Sequence, residues 1–391
     1  MSRQLIARSP DLLQLENEGF NLEIRSGYLL VKEVPYVSLT KEIKRGILIS
    51  PLKVIGDVTD RPDTHVAYWT GEHPCHSNGE KIASIANPSA AQDLGDGIQA
   101  DFTFSAKADY RNYHHKMTTY IGRITGEAQV IDATAVAQTF PVISTEEEES
   151  IFRYLDTATS RVGIGELNNR FSTQRIGIVG LGGTGSYVLD FVAKCCVKEI
   201  HLFDGDVFSQ HNAFRAPGAP SIDDLRAKPQ KVDYLAAIYD KMHSGIHVHD
   251  HAIDKSNIEI LNGLDFIFLC LDSGTAKKNI VMALIERGIP FVEVGMGIIR
   301  NQESLSGLLR VTASTKDVQD QILKKINFSE GDLPANEYST NIQIAELNAM
   351  NAALAVIRWK KLYGFYRDSS RAYSNSYSIA ANEMVNDEEV A

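Results

Sequence analysis

The chain has 391 residues, 43% hydrophobic and 23% charged, enough for two or three domains that each bury a core. Its 39 basic and 50 acidic residues leave a net charge of −11, which counts against a dedicated nucleic-acid binder. No apolar run approaches the ~18 residues of a membrane span. The start, MSRQLIARSPDLL, lacks the apolar core of a secretion signal. Four cysteines without a CxxC pair give neither a disulfide framework nor a zinc knuckle. The expectation is a cytoplasmic, reduced protein without zinc and without a membrane or nucleic-acid partner.

Between residue 20 and about residue 140 the chain carries short runs bounded by Gly, Pro and Asp: GYLLVKEVPYV, GILISPLKVIG, THVAYWTGE, IQADFTFSA and TTYIGRITGEAQVI. Their Val, Ile, Thr, Tyr and Phe content predicts strands, hence a mostly-β domain over 1–145. Ser144 and Thr145 then precede four glutamates, Glu146 to Glu149, which suit an N-cap and an acidic first helical turn. An acidic docking patch is the alternative there. A second domain is expected over 146–391.

From Arg175 onward the pattern changes. RIGIVGLG, EIHLFDGD, DFIFLCLD and PFVEVGMG are continuous apolar runs of the kind made by parallel strands buried on both faces. TGSYVLDFVAKC and TAKKNIVMALIERG lie between them as helices, so a doubly wound, mostly parallel α/β sheet follows. SGLLRVTAS adds a strand, residues 315–340 are polar and irregular, and TNIQIAELNAMNAALAVIRWKKLYGF is a long helix packed on the sheet.

Gly180, Gly182, Gly183, Thr184 and Gly185 lie in a loop that follows a strand and opens a helix. Glycines let backbone approach a phosphate, and a helix N-terminus supplies free N–H groups and positive potential. Asp204, at the end of the next strand, is placed to accept from a ribose hydroxyl. These residues alone leave NAD and ATP both open. Asn212, Arg215, Lys231 and Asp272 follow in loops and at strand ends. Two cations and a carboxylate around phosphates suit a triphosphate with a metal ion better than a hydride-transfer site.

The ordered series GLGGTG, DGDVFSQHNAFR, PQKVD and CLDS resembles the adenylation domain of the ThiF/MoeB/HesA and ubiquitin-activating (E1-like) enzymes, over roughly residues 153–365. The resemblance implies a Rossmann-like adenylation fold, with ATP and Mg²⁺ as cofactors. It implies that the glycine loop, Asp204, Asp206, Asn212, Arg215 and Lys231 bind the nucleotide and that Asp272 holds the metal. The implied reaction is adenylation of the C-terminal carboxylate of a ubiquitin-like or sulfur-carrier protein, in a bacterial conjugation pathway. The implied partners are that protein's exposed tail, a conjugating-enzyme-like acceptor and a second copy of the chain. An NAD-dependent oxidoreductase and a non-catalytic scaffold are the alternatives.

The chain departs from the family pattern in several places. Ala216 follows Arg215 where Gln is usual, and Ser273 follows Asp272 where Asn is usual. The loop before Lys231 is longer, and the paired zinc cysteines and a cysteine after SGLLRVTAS are missing. The N-terminal domain resembles uncharacterised domains fused ahead of bacterial ThiF modules.

Where the family's nucleophile would stand, this chain has Thr312, Ser314 and Thr315, whose hydroxyls could form an oxyester given a base. Cys195, Cys196 and Cys270 read as buried thiols, and Cys75, between His73 and His76, as part of a turn or a metal or thiol cluster. In related dimers an arginine ahead of the first sheet strand reaches the partner's phosphates. Arg161 is the first choice for it, ahead of Arg153, with Arg170 also in that stretch. Tyr110 to Lys116 mixes basic and aromatic residues, a possible nucleic-acid surface that the net charge disfavours.

Overall fold

In the computed structural model, which describes residues 2–88, 90–145, 150–272, 274–315, 322–328 and 342–387, the chain divides into two units, Met1–Ile143 and Ser144–Ala391. The acidic run 146–149, Ser273 and most of the stretch 315–340 lie outside the described residues.

The first unit opens with helices α1 (Ser2–Arg8) and α2 (Pro10–Asn17). Its strands are β1 (Asn21–Arg25), β2 (Tyr28–Val37), β3 (Ile43–Pro51), β4 (Val54–Ile55), β5 (Val58–Thr59), β6 (Val66–Thr70), β7 (Ala86–Asn87), β8 (Gln92–Asp93), β9 (Gln99–Ala100) and β10 (Phe102–Ser105). Six of them form an antiparallel sheet in the order β1-β2-β3-β6-β10-β7, while β4–β5 and β8–β9 are separate ribbons. Leu29, Val31, Leu48, Ala67, Trp69 and Phe104 bury one face of that sheet.

One expected strand is a helix. TTYIGRITGEAQVI lies in α3 (Tyr113–Ile131), whose buried residues Tyr113, Met117, Tyr120, Ile124 and Ala128 recur every three or four positions. Asn112 caps it by accepting from the His115 N–H. The β-branched residues that suggested a strand are tolerated here: Thr118 and Thr119 donate their hydroxyls back to the carbonyls of His114 and His115. Tyr110, Tyr113 and Lys116 of the basic and aromatic stretch are buried, while Arg111 is exposed and His114 and His115 are half-buried.

The second unit contains β11 (Arg175–Val179), β12 (Glu199–Phe203), β13 (Ile246–His249), β14 (Phe266–Leu269), β15 (Phe291–Arg300), β16 (Leu305–Ser314), β17 (Ser374–Ser378) and β18 (Glu383–Asp387). They form one sheet in the order β13-β12-β11-β14-β15-β16-β17-β18. The first five are parallel, and β16, β17 and β18 continue as an antiparallel meander. The α-helices among the described residues are α4 (Thr157–Arg161), α5 (Gly165–Asn168), α6 (Gly183–Val192), α7 (Gln210–Ala213), α8 (Ile222–Ala227), α9 (Lys231–Tyr239), α10 (Thr275–Arg287) and α11 (Ala345–Leu362).

Successive residues of the central strands enter opposite cores. Ile176, Ile178, Leu202, Phe266 and Phe268 pack with α6, α9 and α11. Val179, Phe203, Ile267 and Leu269 pack with α10. This two-sided burial is why the strands read as unbroken apolar runs. Strand order reverses at β11, whose carboxyl end is the place such sheets use for ligands.

Candidate functional site

The glycine loop leaves β11 at that reversal, and its glycines serve different ends. Gly180 has φ +88°, and a side chain there would run into the Cys270 carbonyl at 2.7 Å. Side chains at Gly183 and Gly185 would strike Asn348 and the Gly180 carbonyl, at 2.0 and 1.9 Å. At Gly182 a side chain would meet open space. Three glycines therefore close the turn and admit neighbours, while Gly182 borders room for a ligand. Gly182 caps α6 without a side-chain hydrogen bond, so the first N–H groups of that helix have no capping side chain.

Around this loop the chain folds its polar residues together. Asp204, buried at the end of β12, accepts from Leu181 N–H at 2.6 Å and from Asp206 N–H at 2.9 Å. Its carboxylate thus holds the glycine loop and the loop after β12 in place. Lys231, the first residue of α9, is buried with its Nζ 2.6 Å from Asp206 and 3.4 Å from Asp204. Asn212 accepts from the Ser209 N–H at 2.8 Å, which pins α7. Its Nδ2, like the Nε of Arg215, is buried with no hydrogen-bond partner. Asp272 lies exposed two residues past Cys270, whose N–H donates to the Val179 carbonyl beside the loop.

The sequence reading missed Asn348, which is fully buried on α11. Its Oδ1 accepts from the Thr184 hydroxyl at 3.0 Å and its Nδ2 donates to the Arg215 carbonyl at 3.3 Å. One amide thereby ties the start of α6 to the segment carrying Arg215. Two asparagines, Asn348 and Asn351, on the buried face of an otherwise apolar helix were the available signal. A buried ion cluster was missed as well. Glu293 of β15 meets Lys277 of α10 at 2.6 Å and Arg310 of β16 at 3.2 Å. A glutamate inside an apolar strand marks it in the sequence.

The other candidates sit apart from the loop or closed off. Thr312 is fully buried with its hydroxyl 3.4 Å from that of Ser374, Ser314 is buried, and Thr315 is half-buried. Arg153 pairs with Asp240 at 2.8 Å, Arg170 donates to the Gly364 carbonyl, and Arg161 is exposed at the end of α4. Burial pushes all four thiols up, Cys196 to about 11 and Cys270 to about 12, so none is held as thiolate. The His73–Cys75–His76 run does not converge. His76 turns to Glu127 at 2.8 Å, His73 to the Pro74 carbonyl at 2.8 Å, and the Cys75 thiol to the His73 carbonyl at 3.3 Å.

Fold and site define a doubly wound unit with a glycine loop, a buried lysine and unused donors at its switch point. Residues 157–315 match the ThiF family, and the chain carries a ThiF-family domain there, homologous to ubiquitin-activating E1 enzymes. Residues 10–157 match a family described as "Domain of unknown function (DUF6791)". Ubiquitin-like modifier-activating enzyme 5 of Drosophila ananassae is 24% identical over 154 residues, 36% of this chain and 38% of that protein. The chain therefore spans less than half the length of this curated relative. Among solved structures, PaaA is 18% identical with a TM-score of 0.44, covering 59% of this chain and 70% of its own. E. coli MccB with AMPCPP and MccA is 17% identical with a TM-score of 0.43, covering 59% and 69%. Among the described residues no helix is long and apolar enough to cross a membrane.

Proposed function

We propose that the second unit binds ATP with Mg²⁺ and adenylates the C-terminal carboxylate of a ubiquitin-like or sulfur-carrier protein. The observation that carries this reading is the pair of unused buried donors, Arg215 Nε and Asn212 Nδ2, joined through Asn348 to the start of α6. Buried donors without partners are costly, and a polyanion at this helix N-terminus satisfies them. The matched ThiF domain supports the same choice over a nicotinamide cofactor.

In the reaction a carboxylate oxygen of the partner's tail attacks the α-phosphorus. The new O–P bond forms as the bond from that phosphorus to its bridging oxygen breaks, and pyrophosphate leaves with the electron pair. Arg215 and Lys231 offset the charge growing on the phosphate oxygens. Lys231 does so by turning from Asp206, whose side chain is 67% exposed and yields easily to solvent. Gly182 leaves room for the phosphates, and Asp204 keeps lone pairs for a ribose hydroxyl beside its two backbone bonds. Asp272, an exposed carboxylate beyond β14, suits a hard cation, and Mg²⁺ bound there supplies further charge neutralisation.

We further assign the enzyme to a bacterial conjugation pathway as a homodimer, with Arg161 reaching the second copy's phosphates. With no thiol activated, a nucleophile of a conjugating-enzyme-like acceptor, or first the Thr315 hydroxyl, attacks the acyl carbon of the adenylate, and the acyl–phosphate C–O bond breaks as AMP leaves with the electron pair. The test is ATP–pyrophosphate exchange by the full chain with small Gly-terminated proteins encoded beside it. Tail-dependent exchange is expected. No exchange with any of them, together with thermal protection by NAD and not by ATP, would sink the reading.

A further inference from the structure

Strands β12 and β13 place a row of metal-type ligands at the edge of the sheet, apart from the nucleotide crevice. Glu199, His201 and Phe203 alternate along β12, and His247 and His249 along β13. The parallel register sets His201 beside His247 and Phe203 beside His249, so these side chains leave the sheet on one side. Glu199 Oε2 lies 3.1 Å from His201 Nε2, and the His201 and His247 rings stack at 4.7 Å. Ligand atoms of Glu199, His201 and His247 all fall within 4.8 Å of one another.

A tetrahedral ion with N and O ligands at ~2.0–2.1 Å draws its donor atoms to ~3.3 Å apart. Glu199 and His201 already have that spacing. His247 is exposed on the edge strand and can close the remainder by rotating its side chain.

His249 supplies the second observation. Its Nε2 lies 3.1 Å from His201 Nδ1, and its ring is held flat against Phe203 at 4.3 Å. A ligating imidazole keeps its other nitrogen hydrogen-bonded, and that outer contact sets tautomer and ring angle. When His201 Nδ1–H donates to His249, the Nε2 lone pair is free for an ion on the side of Glu199 Oε2, 3.1 Å away. Two cations compete for Glu199: Arg175 Nε at 3.3 Å and Lys198 Nζ at 3.7 Å. Both side chains are about half exposed, 44% and 52%, and exposed pairs of this kind hold weakly against a divalent ion.

We propose that Glu199, His201 and His247 bind a zinc-class divalent cation, with water as the fourth ligand and His249 as the positioning residue for His201. Imidazole and carboxylate donors suit zinc, whereas magnesium prefers an all-oxygen shell. The ion clamps the edge strand β13 to β12. This site is unrelated to the paired cysteines whose lack led to the expectation of no zinc.

The experiment is calorimetric titration of the chelator-treated full chain with Zn²⁺, with Mg²⁺ in parallel. One Zn²⁺ per chain is expected, with a rise in melting temperature and no response to Mg²⁺ at this site. His247→Ala and His201→Ala should each weaken binding at least ~10-fold, and His249→Ala by roughly 10-fold through lost orientation. His251→Ala, outside the ligand set, should leave binding unchanged. Co²⁺ in place of zinc should show tetrahedral visible bands in the wild type and lose them in His247→Ala. His247 is exposed, so this variant keeps the test decisive if His201→Ala does not fold. No stoichiometric Zn²⁺, or equal binding by wild type and His247→Ala, overturns the proposal.

Discussion

Lys116 in the first unit and Lys231 in the second are both buried lysines at or near a helix start, and their surroundings differ in kind. Lys116 is fully buried, and its ammonium donates to the Ser50 hydroxyl at 2.8 Å and to the Thr64 and Val66 carbonyls at 2.9 and 2.7 Å. Those three neutral oxygens use all three of its protons, and nothing is left to bind a ligand. Lys231 instead faces two carboxylates, one of them mostly exposed, in a neighbourhood where Arg215 and Asn212 hold donors in reserve. A closed set of bonds marks a charge that holds the fold. An open set, with surplus donors of one sign, marks a charge kept for something that arrives.

The largest effect expected from this contrast is on catalysis. Lys231→Ala and Arg215→Ala should each lower the ATP–pyrophosphate exchange rate by roughly 10²–10³-fold, as for loss of a donor to transition-state charge. Full activity in both variants would move the cation roles elsewhere and erase the distinction between the two lysines.

The next effect is on stability in acid, and it belongs to the second unit. His243 is fully buried, donating from Nε2 to the Val197 carbonyl at 3.0 Å and accepting from the Gly245 N–H at Nδ1 at 3.1 Å. Burial pushes its pKa down from 6.5 to about 4. Below 6.5 the unfolded chain takes up a proton that the folded chain refuses, so stability falls as pH drops. The loss reaches about 3 kcal/mol near pH 4. Urea unfolding from pH 7 to pH 4 should show this slope in the wild type. His243→Gln, with no proton to gain, should lose that share of the slope and keep the share of His249, which burial also pushes down to about 4. An equal slope in both proteins would place the acid sensitivity in other groups.

How much of this was legible in the sequence depends on the range of the contact. The parallel strands were readable because burial on both faces writes itself into consecutive residues, as in Phe266 to Leu269. The glycine loop was readable because Gly180 needs a left-handed backbone and two of its neighbours admit no side chain. Strand β13 was not, since IHVH alternates imidazoles with two aliphatics and shows no apolar run. Helix α3 was hidden because its period emerges only over some four turns, while Thr118, Thr119, Ile121 and Ile124 suggest a strand locally. Asn348 bonds Thr184 across 164 positions, and Glu293 collects Lys277 and Arg310 from separate elements. Only folding reveals such pairings, because no local pattern requires them.

A third effect tests the closed lysine directly. Burial lowers the pKa of Lys116 from 10.5 to about 8. Between those values the unfolded chain holds a proton that the folded one has released, so stability rises with pH. The gain is about 2 kcal/mol by pH 9.5. It is cut short above pH 10, where buried tyrosines such as Tyr120, raised to about 12, resist the ionisation that the unfolded chain allows. Lys116→Met should remove the alkaline gain while leaving exchange activity per folded molecule unchanged. A drop in that activity would mean that Lys116 is no purely structural charge.

The smallest effect falls on the residue that sits between the two kinds. Asn348 is as closed as Lys116 toward solvent, yet its side-chain hydrogen bonds end in the site, at Thr184 and at the Arg215 carbonyl. Removing the amide frees the segment that aims Arg215, and one such hydrogen bond is worth about a 10-fold change in rate. Asn348→Ala should therefore lower kcat for exchange about 10-fold, an effect of the size of one hydrogen bond. Thr184→Val cuts the same link from the other end, so the double variant should be no slower than the worse single variant. A merely structural role predicts the opposite pattern: melting temperature falls, kcat per folded molecule holds, and the two substitutions add. Gly183 sharpens the choice, because a side chain there would come within 2.0 Å of Asn348 Nδ2. Gly183→Ala should thus lower kcat at least as far as Asn348→Ala, because the new side chain displaces Asn348 and crowds the start of α6 where the phosphates bind. A Gly183→Ala enzyme with wild-type kcat would break the link between Asn348 and the rate.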